Sequence, residues 1–330
     1  MDLNLVWFIL IVVLFTGFFI LEGFDYGVGM LLIGRPQNER TQLIRTIGPI
    51  WHGNSVWMIT AGGASFAAFP HFYATLFSTA YLALFLMLLA LIMRGVAFEL
   101  RGKFQSAQWK CFWDGAIVFG SLVPALLWGV AIANLLRGLP IDPQMHYLGN
   151  FFNLISPYTI LAGITFVLIF AFHGLTFLML KIGDEGLLFD LRKKSFKLGV
   201  AASIVYFLFI VGTLFETDVM SKSVGVIIFA IALGVFTAGV DFADKNKQRA
   251  AFVTTTVTVA LTTIGFFVAL FPRLMVSSLS SEWSLTIYNA ASTPDTLFIM
   301  TIAAVIFVPI VLCYQYWTYK IFKERVASIK

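Results

Sequence analysis

Residues 48–70 read GPIWHGNSVWMITAGGASFAAFP, a run bounded by Pro49 and Pro70. It is long enough to cross a bilayer, which takes about 20 predominantly apolar residues. Its first two turns nevertheless carry His52, Asn54 and Ser55 between Trp51 and Trp57. Polar groups are costly in hydrocarbon, so either the stretch sits at an interface or these side chains have a task. Whether it spans also decides the architecture, because one crossing more or fewer moves every later connection to the other side.

The chain around it is strongly apolar: 59% of its 330 residues are hydrophobic and 12% charged, with a mean hydropathy of +0.90. Soluble domains run at about 45–50% apolar and about 25% charged. The composition therefore specifies an integral membrane protein, and the length of the apolar runs makes it an all-α polytopic one. Runs of spanning length fall near 5–33, 49–69, 73–98, 112–136, 155–180, 196–215, 223–242, 250–271 and 295–319. The expected count is nine transmembrane helices. The first run has no basic leader and no small-residue cleavage site, which reads as a retained helix rather than a signal peptide.

The net charge of +5 reads as topology, with no implication of nucleic-acid binding. Nineteen of the 22 Lys and Arg lie in alternate connections and the tail, from Arg35, Arg40 and Arg45 onward to Lys320, Lys323, Arg325 and Lys330. The other connections hold only Arg137, Lys222 and Arg273. The positive-inside rule then puts the N-terminus outside and the C-terminus in the cytoplasm. An odd number of spans demands the same arrangement. Connections are short except near 137–154, 181–195 and 272–294. The expected organisation is one membrane domain, with a first four-helix bundle over 1–136, a second over 155–271, and a peripheral ninth helix and tail over 295–330.

Several chemistries find no residues here. Cys111 and Cys313 lie in no metal-binding spacing and call for no disulfide. The chain has no phosphate-binding loop, nucleophile elbow or metalloprotease helix signature, which excludes ATP-driven and hydrolytic readings.

Intramembrane polar groups remain, and these are functional candidates by default. Glu22 and Asp25 are three apart in the first helix and share a face. With an exit near Ile33, they lie roughly 16 Å and 12 Å from its cytoplasmic end. Gly23 and Gly27 form a GxxxG pair that lets a neighbouring helix approach. His52 lies about 5 Å and Asn54 about 8 Å into the second helix, and His173 about 10 Å from the cytoplasmic end of the fifth. All five occupy the same half of the membrane, where a histidine that titrates near neutral pH can relay protons. Two other readings of the histidines stay open: His52 as an interfacial residue, or His52 and His173 as axial haem ligands. Asp114 reads as a surface carboxylate complementing the start of the fourth helix, and Arg94 and Glu99 as boundary charges that snorkel.

Taken in order, the blocks EGFDYGVGM (22–30), GPIWHGNSVWMITAGGASFAAFP (48–70), RGVAFELRGK (94–103), FWDGAIVFGSLVPALLWGVAIANLLRGLP (112–140) and GNFFNLISPYTILAGI (149–164), with FPRLMVSSL and SLTIYNAAS beyond, resemble subunit II of bacterial cytochrome bd quinol oxidases. The resemblance covers nearly the whole chain. It implies two four-helix bundles plus a peripheral helix, paired pseudo-symmetrically with a haem-bearing subunit I. It implies a complex that oxidises quinol, reduces dioxygen to water and takes its protons from the cytoplasm. Two haem b groups and a haem d belong to subunit I, as does the quinol site. This chain is then expected to hold no haem, to support assembly, to contact lipid or a structural quinone, and to tolerate a small single-helix accessory subunit. Its expected proton-pathway residues are Glu22, Asp25, His52, Asn54 and Asp114. One position departs from the family pattern: His52 stands where the family carries an acid in a Trp-Asp-Gly-Asn block. The connection ETDVMSKS (216–223) is also shorter than in some members.

Two other classes compete. A proton-coupled secondary transporter would explain the intramembrane acids, yet Pro124, Pro157 and Pro309 do not form the paired broken helices such proteins favour. A purely structural membrane scaffold is the third reading.

Overall fold

The computed structural model describes residues 2–221 and 223–327; Lys222 and Lys330, counted in the charge pattern above, lie outside the described residues. Eleven α-helices account for most of the described chain. They are α1 (Leu3–Met30), α2 (Gln37–Ile47), α3 (Trp51–Ala68), α4 (Pro70–Thr79), α5 (Tyr81–Leu100), α6 (Ala107–Arg137), α7 (Pro157–Lys181), α8 (Glu185–Glu216), α9 (Ser223–Asp244), α10 (Gln248–Leu270) and α11 (Pro294–Ile321). Among the described residues eight of them, α1, α5 to α10 and α11, are long and apolar enough to cross a membrane.

The helix ends follow local chemistry. Asp2 caps α1 by accepting from Asn4 N and Leu5 N. Ser156 and Thr159 form a reciprocal capping box at the start of α7, with Pro157 in the first turn, where its missing N–H costs nothing. Pro70 explains the end of α3: the residue before a proline is pushed out of the helical region, and Phe69 sits at φ −131°, ψ 67°. The Ala68 carbonyl left by that break accepts instead from Ser292 N at 2.9 Å.

Three segments differ from the sequence expectation. The run near 73–98 divides at Ala80 into α4 and α5. The connection after α1 folds as α2, a short polar helix that buries Gln42, Leu43, Thr46 and Ile47. The long connection near 181–195 is largely helix, because Asp184 caps α8 through Leu187 N and starts it 11 residues before position 196.

Helix α1 lies at the centre of the packing, against α3, α6, α7 and α10. The GxxxG expectation is met at α7. A Cβ on Gly27 would lie 1.9 Å from the Phe170 carbonyl oxygen, and one on Gly174 would lie 2.5 Å from the Gly27 backbone. Only hydrogen fits at this crossing. α7 to α10 pack in sequence, and α10 returns to α7. α11 packs on α1 and α3 and buries a single residue, Leu297.

The two ends of the helix assembly differ. The end holding Arg35, Arg40, Arg101 and Arg192 is the basic end. At the other end, two long connections fold together over a small core of Trp7, Phe8, Ile141, Met275 and Leu285. A short hairpin of β1 (Arg273–Met275) and β2 (Leu285–Thr286) lies there, and Leu139 exchanges backbone bonds with Val276 and Ser278. Gly138, at φ +99°, makes the turn that admits this exchange.

Candidate functional site

The polar residues of α1 and α3 meet inside the protein. Glu22, Asp25 and Asn54 are buried, as is Arg94 from α5. Arg94 Nη1 donates to Glu22 Oε1 in a close ion pair. Ser55 Oγ donates to the same oxygen at 3.1 Å. Asn54 Nδ2 donates to Asp25 Oδ2 at 2.8 Å. The guanidinium carbon of Arg94 stands 4.9 Å from the Tyr26 ring centre and 5.3 Å from that of Phe98, so aromatic faces complete its surroundings.

This places Arg94 differently from the sequence expectation. It does not snorkel to the boundary. Gly120 on α6 opens the space: a Cβ there would lie 2.3 Å from Arg94 Cβ. The side chain is thereby held between helices, and the Glu22 carboxylate is what makes a buried cation tolerable. Two carboxylate oxygens, Glu22 Oε2 and Asp25 Oδ1, have no hydrogen-bond partner within the described chain, and neither do Arg94 Nε, Arg94 Nη2 and Tyr26 OH. Five such atoms in one buried cluster are unusual, since buried polar groups are nearly always paired. The cluster therefore leaves both hydrogen-bond acceptors and hydrogen-bond donors unmatched within the described chain.

A further layer comes from α11. Tyr319 OH donates to Asn54 Oδ1 at 2.8 Å, and Gln315 Nε2 donates to it at 3.1 Å. Nothing in the sequence pointed to these two residues, which lie 261 and 265 positions from Asn54.

His52 does not join the cluster. Two residues along a helix of 3.6 residues per turn is about 200°, so with Asn54 turned inward His52 faces out. Its ring stacks on Trp51, and its Nε2 stands 3.6 Å from Glu99 Oε1; both side chains are about 70% exposed. Glu99 is thus a boundary charge, as expected.

Asp114 belongs to a second, separate cluster. It is buried rather than a surface carboxylate, seven residues into α6. Arg101 Nε donates to Oδ1 at 2.5 Å, while Arg40 Nη1 and Gln37 Nε2 reach Oδ2 at 3.3 and 3.2 Å. Arg101 also donates to Thr41 at 3.1 Å. The carboxylate ties α2 to α5 and α6 by charge pairing, which replaces the helix-dipole role expected of it.

His173 is fully buried on α7 between α1 and α10. Its Nε2 lies 3.1 Å from the Ile20 carbonyl oxygen, which can only accept, so Nε2 carries the proton. Nδ1 lies 2.8 Å from Thr255 Oγ1. Both ring nitrogens are therefore engaged. With His52 turned outward on another helix, the two do not fit the opposed pair that axial haem ligation needs.

Fold and site together define a polytopic α-helical membrane protein that seals a charged, incompletely paired cluster between its helices near the basic end. The chain belongs to the cytochrome bd terminal oxidase subunit II family, whose model matches residues 3–322. Cytochrome bd ubiquinol oxidase subunit 2 of Bacillus subtilis (strain 168) is 42% identical over 332 residues, covering 99% of this chain and 97% of that protein. The cytochrome bd-I ubiquinol oxidase subunit 2 of Escherichia coli (strain K12) is 36% identical over 357 residues, covering 96% and 93%. A chain of the bd oxidase from Geobacillus thermodenitrificans shares the fold with a TM-score of 0.71 at 15% identity, over 98% of this chain and 99% of that one. These relatives give the transporter reading no support.

Proposed function

We propose that this chain is the non-haem-bearing subunit II of a cytochrome bd-type terminal oxidase, and that its buried acids help deliver protons from the cytoplasm to the partner subunit. The observation that carries the oxidase reading is the family match along nearly the whole chain, with relatives named as ubiquinol oxidase subunits. In this reading the partner holds two haem b groups and haem d, oxidises quinol and reduces dioxygen to water. The chain itself supports assembly and meets lipid and quinone in the membrane, with room for a small single-helix accessory subunit.

The reading includes nine spans with the C-terminus in the cytoplasm. Its support is that α3, although too polar to count by hydropathy, covers about 27 Å at 1.5 Å per residue and joins the two ends of the molecule. Trp51 packs on Phe98 at the basic end, while Ala68 accepts from Ser292 at the other. The division into bundles over 1–136 and 155–271, with 295–330 peripheral, is supported by the closed packing of α7 to α10 and the outlying position of α11.

For the route, the buried members are Glu22, Asp25 and Asn54, near the basic end that the positive-inside rule assigns to the cytoplasm. His52, paired with Glu99 on the surface, takes the place of a mouth residue, and Asp114 that of a neighbouring structural pair on the same side. The test uses the complex purified with its haem-bearing partner. Asp25→Asn is expected to lower quinol-driven oxygen uptake roughly tenfold or more, the scale of a lost proton-transfer group, at unchanged haem content. Full turnover of that variant from about pH 6 to about pH 9, the range in which relay groups titrate, would remove the proton-delivery role. Failure of the chain to co-purify with any haem protein would remove the oxidase reading.

A further inference from the structure

The outlying helix α11 has an unexplained feature. It buries one residue in 28, so apolar packing alone holds it weakly, yet two of its polar side chains reach inward to the acid cluster. We propose that Tyr319 and Gln315 are positioning residues for Asp25, acting through the Asn54 carboxamide. The proposal rests on the proton-delivery reading above and extends it to a helix which that reading does not use.

A carboxamide presents an acceptor oxygen and a donor NH2 of nearly the same shape, and its surroundings decide which way it points. At Asn54 one end faces the Asp25 carboxyl and the other faces α11. With its NH2 donating to the Asp25 carboxylate, Asn54 turns its oxygen to α11, where the phenol of Tyr319 and the NH2 of Gln315 both donate to it. Turned the other way, Asn54 would set its oxygen against the carboxylate, and both α11 partners would have to reverse, Gln315 presenting its oxygen and Tyr319 accepting. Three hydrogen bonds thus fix one orientation, and the two from α11 hold it. In a low-dielectric surrounding such a chain of donors strengthens each member.

The consequence for Asp25 follows from what Asn54 donates to. Asn54 occupies Oδ2, leaving Oδ1, which receives no donor within the described chain, as the oxygen that can take a proton. The titratable and charged groups facing Asp25 are Glu22 and Tyr26 on α1, Arg94 from α5 and Tyr319 from α11. From α3, His52 points away to Glu99; α7 brings His173 to the Ile20 carbonyl; α6 brings Asp114, already bound by Arg101 and Arg40; and α2 carries Glu39, paired with Arg35. α10 faces α1 with the Thr255 side of His173. None of these takes the place of the Asn54 donor.

The experiment measures quinol-driven oxygen uptake against pH in the purified complex, with haem content and yield as the structural readout. Tyr319→Phe removes one hydroxyl and keeps the ring. It is expected to move the profile by about half a pH unit or more, which corresponds to losing a fraction of one net hydrogen bond to a carboxylate. Gln315→Leu is expected to move it the same way, and supplies the test should Tyr319→Phe fail to assemble. Asn54→Leu should give at least as large a shift, and adding Tyr319→Phe to it should give nothing more. Lower yield with an unchanged profile in Tyr319→Phe and Gln315→Leu would overturn the proposal, as would a Tyr319→Phe shift of equal size in the Asn54→Leu background. The control is Asp25→Asn. If it slows turnover while the α11 variants leave the profile unmoved, the proposal alone falls; if it turns over at full rate, the proton-delivery reading falls with it.

Discussion

Glu22 and Asp25 share one face of α1, yet only Glu22 is matched with a full counter-charge. Arg94 is bound to Glu22, while Asp25 receives a neutral amide donor. The difference separates them energetically. Removing one member of a buried ion pair strands the other and costs about 3–5 kcal/mol, whereas replacing both with apolar side chains can be nearly neutral. Arg94→Met is therefore expected to lower the apparent unfolding midpoint of the purified complex, and the double variant Glu22→Met/Arg94→Met to recover most of that loss. Equal losses in the single and the double variants would show that the pair is not coupled. The acid pair and its depth were legible in the sequence, because both residues lie on one helix and the periodicity is local. Arg94 was not. Its position six residues before the end of α5 suggests snorkelling, and only the space left by Gly120, on another helix, turns it inward. His52 drew attention as a polar oddity, but its direction is set by Asn54, two residues away, whose inward orientation depends on α1 and α11.

At the scale of elements, the glycines of α1 were readable as a close-approach surface, but not the helix they meet. That helix is α7, and the crossing at Gly27 and Gly174 leaves no room for a methyl group. Overpacking of this kind costs typically about 1–3 kcal/mol. Gly27→Ala is thus expected to separate α1 from α7, reducing thermal stability and the accumulation of the chain in membranes. The comparison is Gly234→Ala on the exposed face of α9, where an added Cβ meets nothing within 4 Å. There the gain in helix propensity, about 0.5–1 kcal/mol, should leave stability equal or higher. A matching loss at both positions would mean that the Gly27 effect is not one of packing. The helix ends missed from the sequence share a physical cause. α2 and the start of α8 are polar, so their formation depends on capping by Asp184 and on burial of Leu43 and Ile47 against other helices, neither of which an apolar-run count registers.

For the whole molecule, the basic residues were the most informative signal, since their alternation depends on the membrane and not on packing. They require a crossing between Arg45 and the Arg94–Lys110 group. The hydropathy of α3 does not suggest one, because Asn54, Ser55 and His52 lower it. The packing supports the proposed crossing. Arg40 and Thr41, which precede α3, meet Asp114 and Arg101, which follow α5, so the two connections lie at the same end. A chain that left α1 and crossed back only once could not bring them together. The polar groups of α3 are tolerable in a span because Glu22, Asp25, Gln315 and Tyr319 satisfy them. Cysteine labelling tests the topology directly. With the exposed Cys111 and Cys313 replaced by Ser, Asn38→Cys and Ser106→Cys are expected to react with a membrane-impermeant maleimide only after permeabilisation. Gln144→Cys and Glu282→Cys, in the two connections that fold together at the other end, should react in intact cells. Reaction of Ser106→Cys in intact cells while Asn38→Cys stays protected would show that α3 does not cross, and the nine-span topology would fall.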